Sequence, residues 1–252
     1  MYAKQKIEKG KLQFDENDNI EEESKLDSLR VIICIPAYNE EEQIGEVIQE
    51  IEDVMGKTDY NFKILVLNDG SDDKTENVAM KNGTRVFSNE KNQGLAETFR
   101  REMNLCRELE ADIIVHTDAD GQYPAIYIPY MIKKVIKGND LVLGSRFGKG
   151  VYAGSFWKKF GNLCFAKLFS ILLRKNMYDT TTGFRAFTQE VSCLPIKNKF
   201  TYTQEQLIRA IKKDYEIEEI PIKARKTNNS KLFGNIFEYF IRVVKNTFRI
   251  FS

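Results

Sequence analysis

Residues 112–124 read Asp-Ile-Ile-Val-His-Thr-Asp-Ala-Asp-Gly-Gln-Tyr-Pro, an apolar β-branched run that ends on a turn carrying two carboxylates. A run of this kind, bounded by turn residues, marks a buried strand, here over 112–117. The same construction occurs twice upstream. Residues 31–35 (VIICI) lead into Pro36-Ala37-Tyr38-Asn39-Glu40, and 63–67 (KILVL) lead into Asn68-Asp69-Gly70-Ser71-Asp72. Further short strands are expected at 84–88 and 140–144.

Helical periods lie between these strands. Ile44, Val47, Ile48 and Ile51 recur at helical spacing within 40–55, and Leu95, Phe99, Met103 and Cys106 share one face of 95–109. Residues 72–81 suit a helix capped by Ser71 or Asp72. Residues 123–137 suit one with Pro124 in its first turn. Strands alternating with helices predict an α/β fold with a doubly wound, mostly parallel sheet. Ligands of such sheets bind at the carboxyl ends of the strands, where all three polar turns sit.

The chain of 252 residues is long enough for one large α/β domain, and 42% hydrophobic residues fit a globular protein. A net charge of +1 hides an asymmetry. Residues 1–29 read as an acidic, solvated arm with Asp15, Glu16, Asp18, Glu21, Glu22, Glu23 and Asp27. From Leu141 to Tyr178 there is no Asp or Glu, while Arg146, Lys149, Lys158, Lys159, Lys167, Arg174 and Lys175 all fall there. This bias suggests an anionic partner such as a phosphate group or a membrane surface. The four cysteines form no CxxC and read as reduced, mostly buried thiols. With a single histidine, His116, a His-rich zinc site is excluded; its place in a strand suggests a buried, hydrogen-bonded ring.

Residues 156–173 and 232–251 combine Phe and Leu with interrupting Lys and Arg. They suit helices lying in a membrane interface, or, for 156–173, a core helix with snorkelling lysines. No uncharged run is long enough to span a bilayer. Together with the lack of a signal peptide, this predicts a peripheral protein on the cytoplasmic face of a membrane. The expected organisation is an arm at 1–29, a catalytic domain at 30–232 and a C-terminal amphipathic helix at 233–252.

Asp118-Ala119-Asp120 follows its strand directly, so one turn can aim both carboxylates at a hard cation. Mg²⁺ or Mn²⁺ prefers oxygen ligands and keeps positions open for diphosphate oxygens. Asp69 is placed to accept hydrogen bonds from a base or ribose, Tyr38 to pack beside a nucleobase and Glu40 to bond the ribose. The runs IPAYNEEEQI, LNDGSDDKT, TDADGQYP and DTTTGFRAF, in this order, resemble the family-2 inverting glycosyltransferases of GT-A fold. Within them the chain looks like the dolichyl-phosphate and polyprenyl-phosphate sugar synthases, over about residues 30–235.

The resemblance implies that Pro36, Tyr38, Glu40, Leu67 and Asp69 line a nucleoside pocket. It implies that Asp118, Ala119, Asp120 and Gln122 hold the metal and the donor diphosphate, with Asp118, Asp120 and Gln122 as the metal set. It places Arg146 near the acceptor phosphate and Asp179 in the sugar pocket. Arg225, Ser230 and Lys231, within RKTNNSK, resemble an acceptor loop in which Asn229 replaces a glycine. Asn68 stands where many relatives carry Asp, and Tyr123 where the fingerprint often has His.

The function expected is transfer of a sugar from a nucleoside-diphosphate donor, of GDP-mannose or UDP-glucose type, to a polyprenyl phosphate. An ionised lipid phosphate needs no strong base. The alternative, a sugar-hydroxyl acceptor in polysaccharide or glycolipid synthesis, needs one, and Asp179 or Glu205 are the candidates. A non-catalytic membrane-associated binding subunit is a third reading, and a membrane-protein partner is compatible with each. No nucleic-acid recognition motif is present, and no GxGxxG follows the first strand.

Overall fold

In the computed structural model, residues 29–147, 166–167, 170, 176–198 and 201–226 are described. The acidic arm expected before residue 29, the C-terminal helix expected at 233–252, Ser230 and Lys231, and nearly all of 156–173 lie outside the described residues.

Among the described residues, seven strands form one sheet in the order β3-β2-β1-β4-β6-β5-β7. They are β1 (Arg30–Ala37), β2 (Asn61–Asn68), β3 (Arg85–Ser88), β4 (Ile113–His116), β5 (Leu141–Ser145), β6 (Arg185–Thr188) and β7 (Ile217–Pro221). The first five match the sequence expectation to within two residues. β1 pairs in parallel with β2 and β4, whereas β6 runs antiparallel to both β4 and β5. The sheet is therefore mixed but mostly parallel. Strand order reverses beside β1, which opens a crevice at its carboxyl end.

After Arg30, every residue of β1 is buried, because helices cover both faces of the sheet. On one face Val31, Ile33 and Ile35 meet helices α1 (Ile44–Met55) and α4 (Ile128–Ile136) through Ile48, Ile51, Met131 and Ile132. On the other, Ile32 and Cys34 share a core with α3 (Leu95–Glu108) and α6 (Tyr202–Lys212) through Phe99, Met103 and Leu207. Each such fully buried aliphatic side chain contributes about 1.5–3 kcal/mol. Two further helices among the described residues are α2 (Thr75–Lys81) and the short α5 (Gln189–Ser192).

Three local expectations are corrected. Helix α1 starts at Ile44 rather than residue 40, because the Glu40 carbonyl first closes a turn on the N–H of Gln43. Helix α2 starts at Thr75 and is not capped by Ser71 or Asp72. Those two bond Asn39 across the crevice mouth, and the Asp73 carboxylate accepts the Thr75 N–H instead. Pro124 is extended (φ −64°, ψ 129°) ahead of a 3₁₀ turn at Ala125–Tyr127, and Pro129 takes the first-turn position in α4.

Cys34 and Cys106 are buried thiols with sulfurs 3.2 Å apart, and burial pushes the Cys34 thiol well up. Cys193 is exposed.

Candidate active site

The end of β1 delivers Tyr38, Asn39 and Glu40, all half-buried. Asn39 adopts φ +53°, a left-handed conformation that Asn tolerates better than most residues. Its side chain accepts the Asp72 N–H at 2.9 Å, and its own N–H reaches Ser71 Oγ at 3.0 Å. The first two strand-end turns are thereby tied into one wall.

The second turn is committed to the protein itself. Asp69 is 4% exposed, and its two oxygens accept the side chain of Asn89 (2.7 Å) and the N–H groups of Gln93 and Gly94 (2.9 Å each). A carboxylate so engaged fixes the 89–94 loop and the start of α3. Gly70 has φ +69°, and a Cβ there would lie 2.5 Å from the Lys91 backbone, so only glycine permits this contact. Asn68 holds Ser71 N–H and Ser88 Oγ. Leu67 lies in the core with Ala96 and Phe99, and Pro36 is likewise buried.

The third turn carries the paired carboxylates. Burial first, and then the neighbouring Asp120, push the Asp118 carboxyl up to about 6. Asp120 accepts the Gln122 N–H at 2.9 Å across Gly121. Against Asp118 lies Gly183, where a Cβ would stand 2.9 Å from the carboxylate. The Tyr123 hydroxyl accepts the Gly183 N–H (3.3 Å), and its ring stacks on Phe184 at 5.2 Å. The TTTG segment is thus folded back onto the DxD turn.

Opposite the carboxylates stands Arg146. Asp179 receives it through both oxygens: Nε at 2.8 Å and the backbone N at 3.0 Å on one, Nη2 at 3.0 Å on the other. Nη2 also reaches Thr181 Oγ1 at 2.9 Å, and Nη1 reaches Gln122 Oε1 at 3.3 Å. Burial disfavours the guanidinium charge, but Asp179 more than restores it, and the group stays above its ordinary pKa. The Gln122 amide oxygen expected on a metal therefore faces Arg146 instead. Asp179, expected to bond donor hydroxyls or orient Arg185, or to act as a base for a sugar-hydroxyl acceptor, pairs instead with Arg146.

Two further expectations meet the structure differently. Glu205 is 2% exposed and bonds Arg209 (2.7 and 2.9 Å) and the N–H groups of Lys197 and Asn198. That carboxylate is structural, which removes it as a base. The Arg225 fork points at Glu50 of α1, at 2.6 and 2.8 Å, while its backbone N–H bonds the Gln122 carbonyl at 2.9 Å. Arg225 is therefore beside the site, with its guanidinium held by another anion.

The sequence reading passed over Glu50, Glu102 and Glu219. Glu102 binds the ring of His116 at 2.8 Å in full burial, as expected of that histidine. Only the apolar face that Glu102 interrupts in α3 hints at it. Glu219 of β7 accepts the N–H groups of Tyr178 and Asp179 and carries no motif.

Among the described residues no three His, Cys, Asp or Glu side chains gather around a common cation position. Asp118 and Asp120 fit a cation whose other ligands come from substrate oxygens and water, as hard divalent ions favour. Burial and the neighbouring Asp120 both disfavour the Asp118 carboxylate, and a dication between the two would favour it.

Residues 32–194 match the family model described as Glycosyl transferase family 2. The chain is 33% identical over 205 residues to the dolichyl-phosphate hexose transferase of Haloferax volcanii, covering 81% of this chain and 86% of that one. It is 31% identical over 226 residues to the dolichol-phosphate mannosyltransferase of Pyrococcus furiosus, covering 84% of this chain and 62% of that one. In fold it is similar to glucosyl-3-phosphoglycerate synthase from Mycobacterium tuberculosis, solved in complex with Mn²⁺, uridine diphosphate and phosphoglyceric acid. The TM-score is 0.71 at 21% identity, over 91% of this chain and 82% of that one.

Proposed function

The chain belongs to glycosyl transferase family 2, and from that premise we propose that it moves a sugar from a nucleoside diphosphate to a polyprenyl (dolichyl) phosphate, with inversion. The observation that carries the acceptor assignment is the fate of the candidate bases. Asp179 is bound on both oxygens by Arg146, and Glu205 by Arg209 and two backbone N–H groups. Neither is free to act as the base that a sugar-hydroxyl acceptor would need. A phosphate monoester, with its second pKa near about 6, is already ionised and needs a cation to receive it. Arg146 is such a cation, buried and aligned. The two named dolichyl-phosphate relatives support the same acceptor class.

In this reading a phosphate oxygen attacks the anomeric carbon. The bond from that carbon to the donor's diphosphate oxygen breaks, and the nucleoside diphosphate leaves with the electron pair. Mg²⁺ or Mn²⁺ held at Asp118 and Asp120 would offset the charge that builds on this leaving group. Arg146, held by Asp179 and Thr181 through Nε and Nη2, presents its Nη1 side, beside Gln122, to the acceptor phosphate. Tyr38, Glu40 and the adjoining β1 and β2 ends form the nucleoside side of the crevice. The 89–94 loop, fixed by Asp69, backs it.

No described helix is long and apolar enough to cross a membrane. Since the acceptor is a lipid, peripheral attachment at the cytoplasmic face completes the reading, through the basic aromatic-rich segments or a membrane-protein partner. The test is incubation with labelled GDP- and UDP-sugars, Mn²⁺ and a short-chain polyprenyl phosphate, followed by organic extraction. Label in the organic phase that depends on the lipid phosphate is expected. Label that instead passes to a saccharide hydroxyl would replace this reading with the polysaccharide alternative.

A further inference from the structure

Glu219 lies on β7, the edge strand, with Leu143 of β5 as its register partner. β5 continues directly into Arg146, and the carboxylate bridges from this edge to the turn that receives it. One oxygen accepts the Tyr178 N–H at 2.8 Å and the other the Asp179 N–H at 2.7 Å. Tyr178 and Asp179 belong to no helix or strand, so their N–H groups have no ladder partner, and this side chain takes both. Charge-assisted bonds to two successive N–H groups are among the stronger hydrogen bonds a loop can be given. The Asp179 side chain then takes Nε, Nη2 and the backbone N of Arg146. Glu219, the 178–179 turn, Asp179 and Arg146 form one unbroken line of hydrogen bonds, and its last member points a guanidinium edge at Gln122 beside the DxD turn.

We propose that Glu219 is a positioning residue for the transfer, holding the turn that aims Arg146 at the acceptor phosphate. The inference deepens the proposed function and rests on it for the identity of the acceptor; the geometry of the line stands apart from that identity. Glu219 touches no reacting atom.

Glu219→Gln keeps the shape but sets an amide N–H₂ against one of the two backbone N–H groups, donor facing donor. The Michaelis constant for polyprenyl phosphate is expected to rise on the order of tenfold, less than the ~100-fold cost of a full ångström of misplacement. Donor affinity, measured by calorimetry with the nucleoside diphosphate and Mn²⁺, should not move. In an Arg146→Ala background, Glu219→Gln should raise that constant no further, while still lowering the melting temperature. A second readout needs no substrate. In ¹⁵N-arginine-labelled protein the Arg146 Nε–H resonance, identified by its loss in Arg146→Lys, should exchange slowly in the wild type and fast in Glu219→Gln. Glu219→Asp, which keeps the charge one methylene shorter, should fall between them and serves if the Gln variant does not fold. Additive effects in the double variant, or an Arg146 resonance unmoved by either substitution, overturn the inference. A wild type that transfers nothing to lipid phosphate overturns the proposed function instead, and the resonance still decides the role of Glu219.

Discussion

Arg225 and Glu50, 175 positions apart, meet as a two-pronged ion pair of 2.6 and 2.8 Å on the rim of the crevice. Arg225 holds the Glu50 carboxyl below its ordinary range through those bonds. The pair anchors the first residue of the RKTNNSK segment, and a second bond, from the Arg225 N–H to the Gln122 carbonyl, fixes it beside the DxD turn. The pair is half exposed on the arginine side, so it is worth only about 0.2–1 kcal/mol and is readily exchanged for another anion. If Arg225 takes the acceptor phosphate, Glu50→Gln frees it. The Michaelis constant for polyprenyl phosphate should then fall by about 1.5- to 5-fold, the range those energies allow. A rise matching that of Arg225→Lys would make Arg225 a tether for the loop and not a phosphate ligand.

Gly183 leaves no room for a side chain beside Asp118. A methyl group there would stand 2.9 Å from Oδ1 and 3.0 Å from Oδ2. Gly183→Ala should displace the carboxylate, weaken Mn²⁺ binding and lower turnover on the order of tenfold or more. The overpacking itself should cost about 1–3 kcal/mol of stability. Manganese titration by calorimetry checks the first effect, and an unchanged affinity would show that the turn accommodates the methyl group elsewhere.

Asp120→Asn removes one of the two charges proposed to hold the cation while keeping an acceptor for the Gln122 N–H. A loss of about 100-fold or more in turnover is expected, comparable to other preorganised electrostatic groups. Full activity in this variant, or in wild type with excess chelator, would end the metal assignment.

Asp118 gives the site a pH signature. Its folded value, about 6, lies above that of an unfolded aspartate. The unfolded chain therefore ionises first at this position as pH rises from about 4, and the contribution of Asp118 to the stability of the cation-free protein falls until about pH 6, then levels off. A cation at Asp118 favours the ionised form, so the Mn²⁺-induced rise in melting temperature should grow between pH 5 and 7. Equal Mn²⁺ shifts at pH 5 and pH 7 would remove Asp118 from the cation site.

The three strand-end turns were legible because each joins an apolar β-branched run to a Gly- or Asp-bearing turn, and that pattern is local. β1, β2 and β4 follow from it directly. β6 and β7 were missed as strands: RAFT is four residues long, and IEEIP places two glutamates in a row at a sheet edge. Neither has a periodicity that outweighs its surroundings. Helix starts slipped by three to five residues because backbone and side-chain partners at 39–43 and 71–75 compete with helix entry.

The sequence by itself determined the layered α/β plan, the family, and the turn that carries Asp118 and Asp120. Side-chain period, turn chemistry and motif order are all written within a few residues of one another. Tertiary structure alone decided which polar groups remain available. Asp69 is consumed by the 89–94 loop, Asp179 by Arg146, Glu205 by Arg209, and Arg225 by Glu50. Those partners lie 4 to 175 positions away. A buried or half-buried charge takes whichever counter-charge the fold brings within 3 Å, and no local pattern records that choice.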